Sequence, residues 1–277
     1  MVVGFNGGYA GAGEATMRYD PHEYTADGGG NGKTLSVTKV TGTQLLPPWK
    51  STDPVGESSF HLITQVIGFG GDLLVHGSSD GKSYDWTNNG CGPTSVAGSM
   101  RWYAEQNVVT WAPLATLVQD SNKRGDPREY MKLLFPDLNG RVPYDSTNSC
   151  DHTKIYAACQ AKTGLAHVSV TLDSPKTLAN LLKTGPVICT WNQPSHFSTV
   201  HGAVQKGTDW TIWIADPGKL LKSSWSLDAS QLGAGVPKDY NPNVYVGVSW
   251  TFFTTKLSAA CQLQYQAPAS TTTPTSP

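Results

Sequence analysis

Three residues in this sequence stand where nucleophilic chemistry needs them: Cys91, His196 and Asp216. Cys91 lies in Asn88-Asn89-Gly90-Cys91-Gly92-Pro93-Thr94-Ser95. Asn-Asn-Gly reads as a turn. Pro93 suits the first turn of a helix, where a missing N–H costs nothing. Val96, Ala97, Met100 and Tyr103 then recur at helical spacing, which predicts a helix over 91–107 with one apolar face. A cysteine at such a start meets free N–H groups and the positive end of the helix dipole, and both favour negative charge at that spot. The thiolate is the attacking species, so this is a place for a nucleophile.

A nucleophilic cysteine needs a base and a group to orient that base. Ser195-His196-Phe197-Ser198-Thr199-Val200-His201-Gly202-Ala203-Val204 reads as a strand, and Lys206-Gly207-Thr208-Asp209 as a turn. Trp210-Thr211-Ile212-Trp213-Ile214-Ala215-Asp216 reads as the returning strand, stopped by Pro217. The open ends of an antiparallel hairpin meet, and those ends carry His196 and Asp216. A carboxylate that holds an imidazole beside a thiol completes the logic of a triad.

Cys-Gly-Pro-Thr-Ser opening a helix, His-Phe-x-x-Val-x-Gly downstream and then Ile-x-Asp-Pro resemble a papain-like cysteine peptidase. The branch most similar is the bacteriocin-processing, double-glycine type. The resemblance spans roughly residues 81–250 and implies a papain-like fold, with Cys91 as nucleophile, His196 as base and Asp216 as orienter. It also marks a departure. The family usually has a glutamine six residues before the cysteine as an oxyanion donor, and here that position is Asp85. An ionised aspartate only accepts hydrogen bonds. Asn88 or Asn89, with the Cys91 N–H, are the alternatives.

Two histidines compete for the role of base. His196 and His201 are five apart, so a regular strand turns them to opposite faces. Gly202 lies six positions after His196, where the family pattern has a glycine, and this favours His196. His22, His61, His76, His152 and His167 have no comparable context and read as ordinary residues.

The elements that must position these groups come helices first and sheet second, which is α+β order. Helices are expected over about 126–134, with Asp126 as cap, and from the cap Asp151 to about Lys162, ended by Gly164. Another opens at Ser174-Pro175, bears Leu178, Leu181 and Leu182, and closes at Gly185. Strands are expected over 34–40, 61–67, 72–76, 167–172, 186–191 and 244–250.

Residues 1–33 hold nine glycines and three tyrosines among few large aliphatics, too little to build a core. The reading is therefore a Gly-rich extension and added β region over 1–80, a peptidase domain over 81–265, and a Pro/Thr/Ser linker over 266–277. That linker predicts a further module beyond it.

The chain has 277 residues, a net charge of −1 and only 15% charged residues. This excludes a polybasic nucleic-acid groove or membrane-binding face. No run of 18 apolar residues is present, so no membrane span is expected. With Cys91 kept as a thiol, Cys150, Cys159, Cys189 and Cys261 are too sparse for a disulfide framework and form no C-x-x-C knuckle; they read mainly as reduced core residues. No metal or cofactor is called for. Of the nine tryptophans, Trp86 and Trp191 lie close in sequence to the proposed site and Trp210 and Trp213 on the hairpin. Packing is their default role, and holding a sugar or peptide the alternative.

Together these features resemble the N-terminal peptidase module of a bacteriophage endolysin. That implies an amide hydrolase acting on the peptide part of peptidoglycan, made without a standard signal peptide in the host cytoplasm and then reaching the bacterial wall. A leader-peptide processing protease and a non-catalytic papain-like binding module are the alternatives.

Overall fold

The computed structural model describes residues 86–266, apart from 121, 145–149, 193–194, 219–220, 226, 229 and 234–244, together with Ile63 and four short N-terminal strands. These are β1 (Val3–Phe5), β2 (Glu14–Ala15), β3 (Met17–Tyr19) and β4 (Val40–Thr41), paired β1 with β3 and β2 with β4. The strands expected over 34–40, 61–67 and 72–76 fall outside the described residues, Val40 and Ile63 excepted, and so does the linker beyond 266.

From Trp86 onward, five helices precede the first strand of the main sheet. They are α1 (Trp86–Asn89), α2 (Cys91–Glu105), α3 (Ala112–Gln119), α4 (Pro127–Leu134) and α5 (His152–Thr163). Then come β5 (Leu165–Ser169), α6 (Pro175–Leu182), β6 (Val187–Asn192), β7 (Ser195–Lys206) and β8 (Asp209–Ala215). The series ends with α7 (Leu221–Trp225), β9 (Tyr245–Ser249), α8 (Trp250–Lys256) and β10 (Leu257–Tyr265). The order is α+β, with one antiparallel six-stranded sheet arranged β5-β10-β6-β7-β8-β9.

The helix starts follow local chemistry. Asp126 accepts the Arg128 N–H at 2.9 Å, Asp151 the Lys154 N–H at 3.0 Å and Ser174 the Thr177 N–H at 3.1 Å. Each satisfies a donor that the first helical turn leaves unpaired, and α4 and α6 add Pro in that turn. Gly164 ends α5 in the left-handed region at φ +76°.

α2 departs from the expected one-sided amphipathic helix. Every residue from Gly92 to Ala104 is buried. The helix lies against β6 and β7 on one side and α3, α4 and α5 on the other, so it has no solvent face. The cost of this position falls on Arg101, which is 1% exposed. Its Nε donates to Glu105 Oε1 at 2.7 Å and its Nη1 to the Arg124 carbonyl at 3.3 Å, so the buried charge is paired. At the same end, the Tyr103 hydroxyl donates to the Leu263 carbonyl in β10.

Four further elements depart from expectation. α3 lies in a stretch with no reading assigned. Trp250 begins α8 instead of ending a strand, because the Ser249 hydroxyl caps the Phe252 N–H at 3.3 Å. β10 falls in a stretch for which no element was expected, yet it sits between β5 and β6 inside the sheet. The strand expected over 167–172 begins at Leu165 and ends at Ser169. No helix among the described residues is long and apolar enough to cross a membrane.

Candidate active site

Cys91 is the first residue of α2, with Gly90 before it as cap. Asn88 and Asn89 end the single turn of α1, so the expected open turn narrows to Gly90. The Gly90 N–H donates to the Trp86 carbonyl at 3.1 Å, and a Cβ at Gly90 would come within 2.6 Å of that same oxygen. Glycine is the residue that lets the chain double back here and present Cys91 at the start of α2. Cys91 is partly exposed, whereas Cys150, Cys159, Cys189 and Cys261 are buried, and all five are free thiols. Burial pushes the Cys159 thiol up to about 12 and also raises Cys189 and Cys261.

His196 lies near the start of β7, opposite Trp191 of β6. Asp216 follows the last residue of β8. The hairpin brings them together, with His196 Nε2 2.6 Å from Asp216 Oδ1 and both side chains at most 1% exposed. Asp216 is itself held. Its Oδ1 also accepts the Gly218 N–H at 2.9 Å, and its Oδ2 accepts the Leu221 N–H at 2.7 Å. The Cys91 thiol also lies close enough to His196 to act on the imidazole. Burial is the largest influence on the imidazole and works against its charge. The hydrogen bond that Asp216 accepts and the neighbouring Cys91, with the charges of both, outweigh it and raise His196 to about 10.

His201 is elsewhere in electrostatic terms. It is fully buried, and burial pushes its pKa down to about 3, so it stays neutral. Regular alternation between the two histidines also fails. The register with β8 shifts between Val200 and Gly202, which makes His201 the extra residue of a bulge. Of the sequence candidates, the structure brings together Cys91, His196 and Asp216 and leaves His201 out. Asp85 and the side chain of Asn88 lie outside the described residues. The Asn89 carbonyl faces the Cys150 thiol at 4.0 Å.

One neighbour had no signal in the sequence. The His152 ring, at the start of α5, stacks on Phe197 with centroids 4.6 Å apart and planes 28° apart. A Cβ at Gly92 would come within 2.0 Å of His152 Nε2. The ring thus fills the space between the residue after Cys91 and the residue after His196. The row continues through Tyr156 at 6.4 Å to His167, 4.3 Å beyond it. Nothing in local spacing relates His152 to Gly92, 60 positions away.

No family model matches this chain, and no curated protein and no solved structure matches it. The geometry therefore stands on its own chemistry. A partly exposed thiol beside a buried imidazole that a buried carboxylate holds can keep a proton on nitrogen and leave sulfur as the attacking anion.

Proposed function

We propose that this protein is a thiol-dependent amide hydrolase of papain-like type, with Cys91 as nucleophile, His196 as general base and acid, and Asp216 as orienter. The observation that carries the reading is one imidazole, His196, held 2.6 Å from a buried carboxylate and close enough to the Cys91 thiol to feel its charge. Because His196 holds its proton up to about 10, the Cys91 thiolate stands beside an imidazolium and adds to the amide carbonyl. The C–N bond then breaks, and His196 returns the proton to the leaving amine. A water, deprotonated by His196, attacks the thioester. The carboxylic acid leaves and the thiol is restored. The Cys91 N–H at the start of α2 is one oxyanion donor in this scheme.

The substrate class in this reading is the peptide part of bacterial peptidoglycan. It rests on the resemblance to endolysin peptidase modules and on the Pro/Thr/Ser stretch that follows the domain. A thiol–imidazole pair attacks amides, whereas glycosidases work with paired carboxylates. The test is digestion of purified walls from several bacteria, with Cys91→Ala as blank. New amino groups without reducing sugars are expected. Reducing ends without amines would rule out the amidase. Inert walls together with cleavage of a Gly-Gly leader peptide would assign the processing reaction instead, and inertness toward both would leave a binding module.

A further inference from the structure

The hairpin that carries His196 and Asp216 at its open end has a second feature at its turn. A cleft of about 550 Å³ opens there, bounded by Thr208, Asp209 and Trp210 of the hairpin, Ser230, and Trp250 and Thr251 at the start of α8. Ten residues of β7 separate His196 from Lys206, roughly 30 Å at about 3.3 Å per residue. The cleft is therefore separate from the thiol site.

Its chemistry is specific. Trp86, Trp191 and Trp213 are each at most 3% exposed and serve the core. Trp210 and Trp250 are only half-buried, and both border this cleft. Trp250 is held rigid by stacking on the fully buried Phe253, with centroids 5.4 Å apart and planes 23° apart. Around the two indoles stand the exposed hydroxyls of Thr208, Ser230 and Thr251 and the carboxylate of Asp209. Among the described residues lining the cleft there is no Lys, Arg or His, so an anion finds no counter-charge. A peptide strand finds no ladder to join. The neighbouring backbone of β9 is already paired, because the Gly233 N–H donates to the Gly247 carbonyl at 3.1 Å and the Ser249 N–H to the Gln231 carbonyl at 2.9 Å.

We infer that this cleft is a binding site for a neutral saccharide. A pyranose offers an apolar C–H face to an indole and a rim of hydroxyls to a carboxylate and alcohols, the two surfaces found here. The volume lies within the roughly 300–1,000 Å³ of clefts that take small ligands. The inference does not rest on the amidase reading, since the cleft shares no residue with the thiol site.

The test uses the full chain carrying Cys91→Ala, so catalysis plays no part. Calorimetric titration with a β-1,4-linked N-acetylglucosamine tetramer and with maltotetraose should give a Kd of about 1 mM or tighter for at least one. Trp210→Ala and Trp250→Ala should weaken that binding at least about tenfold. Asp209→Asn sits at the exposed lip and keeps the fold; it should weaken binding while leaving the melting temperature and the thiol reactivity of Cys91 unchanged in the otherwise native chain. Binding of neither saccharide overturns the site, and so does binding that Asp209→Asn and the tryptophan variants leave untouched. If the tryptophan variants fail to fold, Asp209→Asn decides alone.

Discussion

At the residue scale the five cysteines differ in the two properties that govern alkylation, access and thiolate content. Cys91 is partly exposed, while the others are buried and three of those have raised pKa values. Iodoacetamide near neutral pH should label Cys91 first, and mass spectrometry of the digest would show it; prior labelling of Cys150 or Cys261 would sink the assignment. Cys91→Ala should cost at least about a thousandfold in turnover, and His196→Ala about 10²–10⁴-fold. His201→Gln should retain turnover wherever it folds, since His201 is a neutral buried residue outside the triad. Asp216→Asn is expected to fail twice. The carboxylate accepts from His196, Gly218 and Leu221, and an amide cannot accept at both ends. Loss of activity should therefore come with a lower melting temperature, and an Asp216→Asn protein as stable and as active as its parent would contradict the geometry.

At the element scale, α2 and β7 are held at a set distance by a ring from a third element. Gly92→Ala would drive a methyl into His152 Nε2, and overpacking of this kind costs about 1–3 kcal/mol. The substitution should lower both stability and turnover. In the double variant Gly92→Ala, His152→Ala the clash is gone, so the stability costs should be less than additive. Chemical denaturation of the four proteins measures this, and strict additivity would show that the two residues do not meet. The same comparison explains what was legible beforehand. The starts of α2, α4, α5 and α6 and the His196 hairpin announce themselves within a few residues, through caps, prolines and alternation. The triad followed, because a hairpin relates its two ends by counting. His152, β10 and the bulge at His201 depend on contacts between distant stretches, and no local pattern encodes those. β10 in particular alternates poorly, with Cys261, Gln262 and Leu263 buried in succession, Cys261 against Tyr156 of α5 and Gln262 against the carbonyls of Leu181 in α6 and Gly185.

At the scale of the whole molecule, the two buried histidines pull stability in opposite directions with pH. Unfolded, each titrates near 6.5. Folded His196 holds its proton up to about 10, so its contribution is complete below 6.5 and is lost as pH rises through 10. Folded His201 refuses its proton until about 3, so stability is lost as pH falls from 6.5 toward 3. Each limb approaches about 1.4 kcal/mol per pH unit at its steepest. Urea unfolding from pH 4 to 10 should find maximum stability near 6.5; a maximum above pH 9 would contradict the His196 assignment, and stability that does not fall below pH 6 the His201 one. His196→Gln should flatten the limb between 6.5 and 9, leaving above 9 the loss from buried thiols that ionise only when unfolded. The place of β10 has a consequence in time. It follows every other strand of the sheet in the chain yet lies between β5 and β6, and its Leu263 receives the Tyr103 hydroxyl from 160 positions earlier. A ribosome adds roughly 5–20 residues per second. Cys91 and His196 are thus synthesised well before the strand that closes the sheet around them. A nascent chain halted at Lys256 carries the whole triad but leaves β5 and β6 with open edges. The proposed activity is expected to be absent throughout translation and to switch on only when residue 265 has emerged.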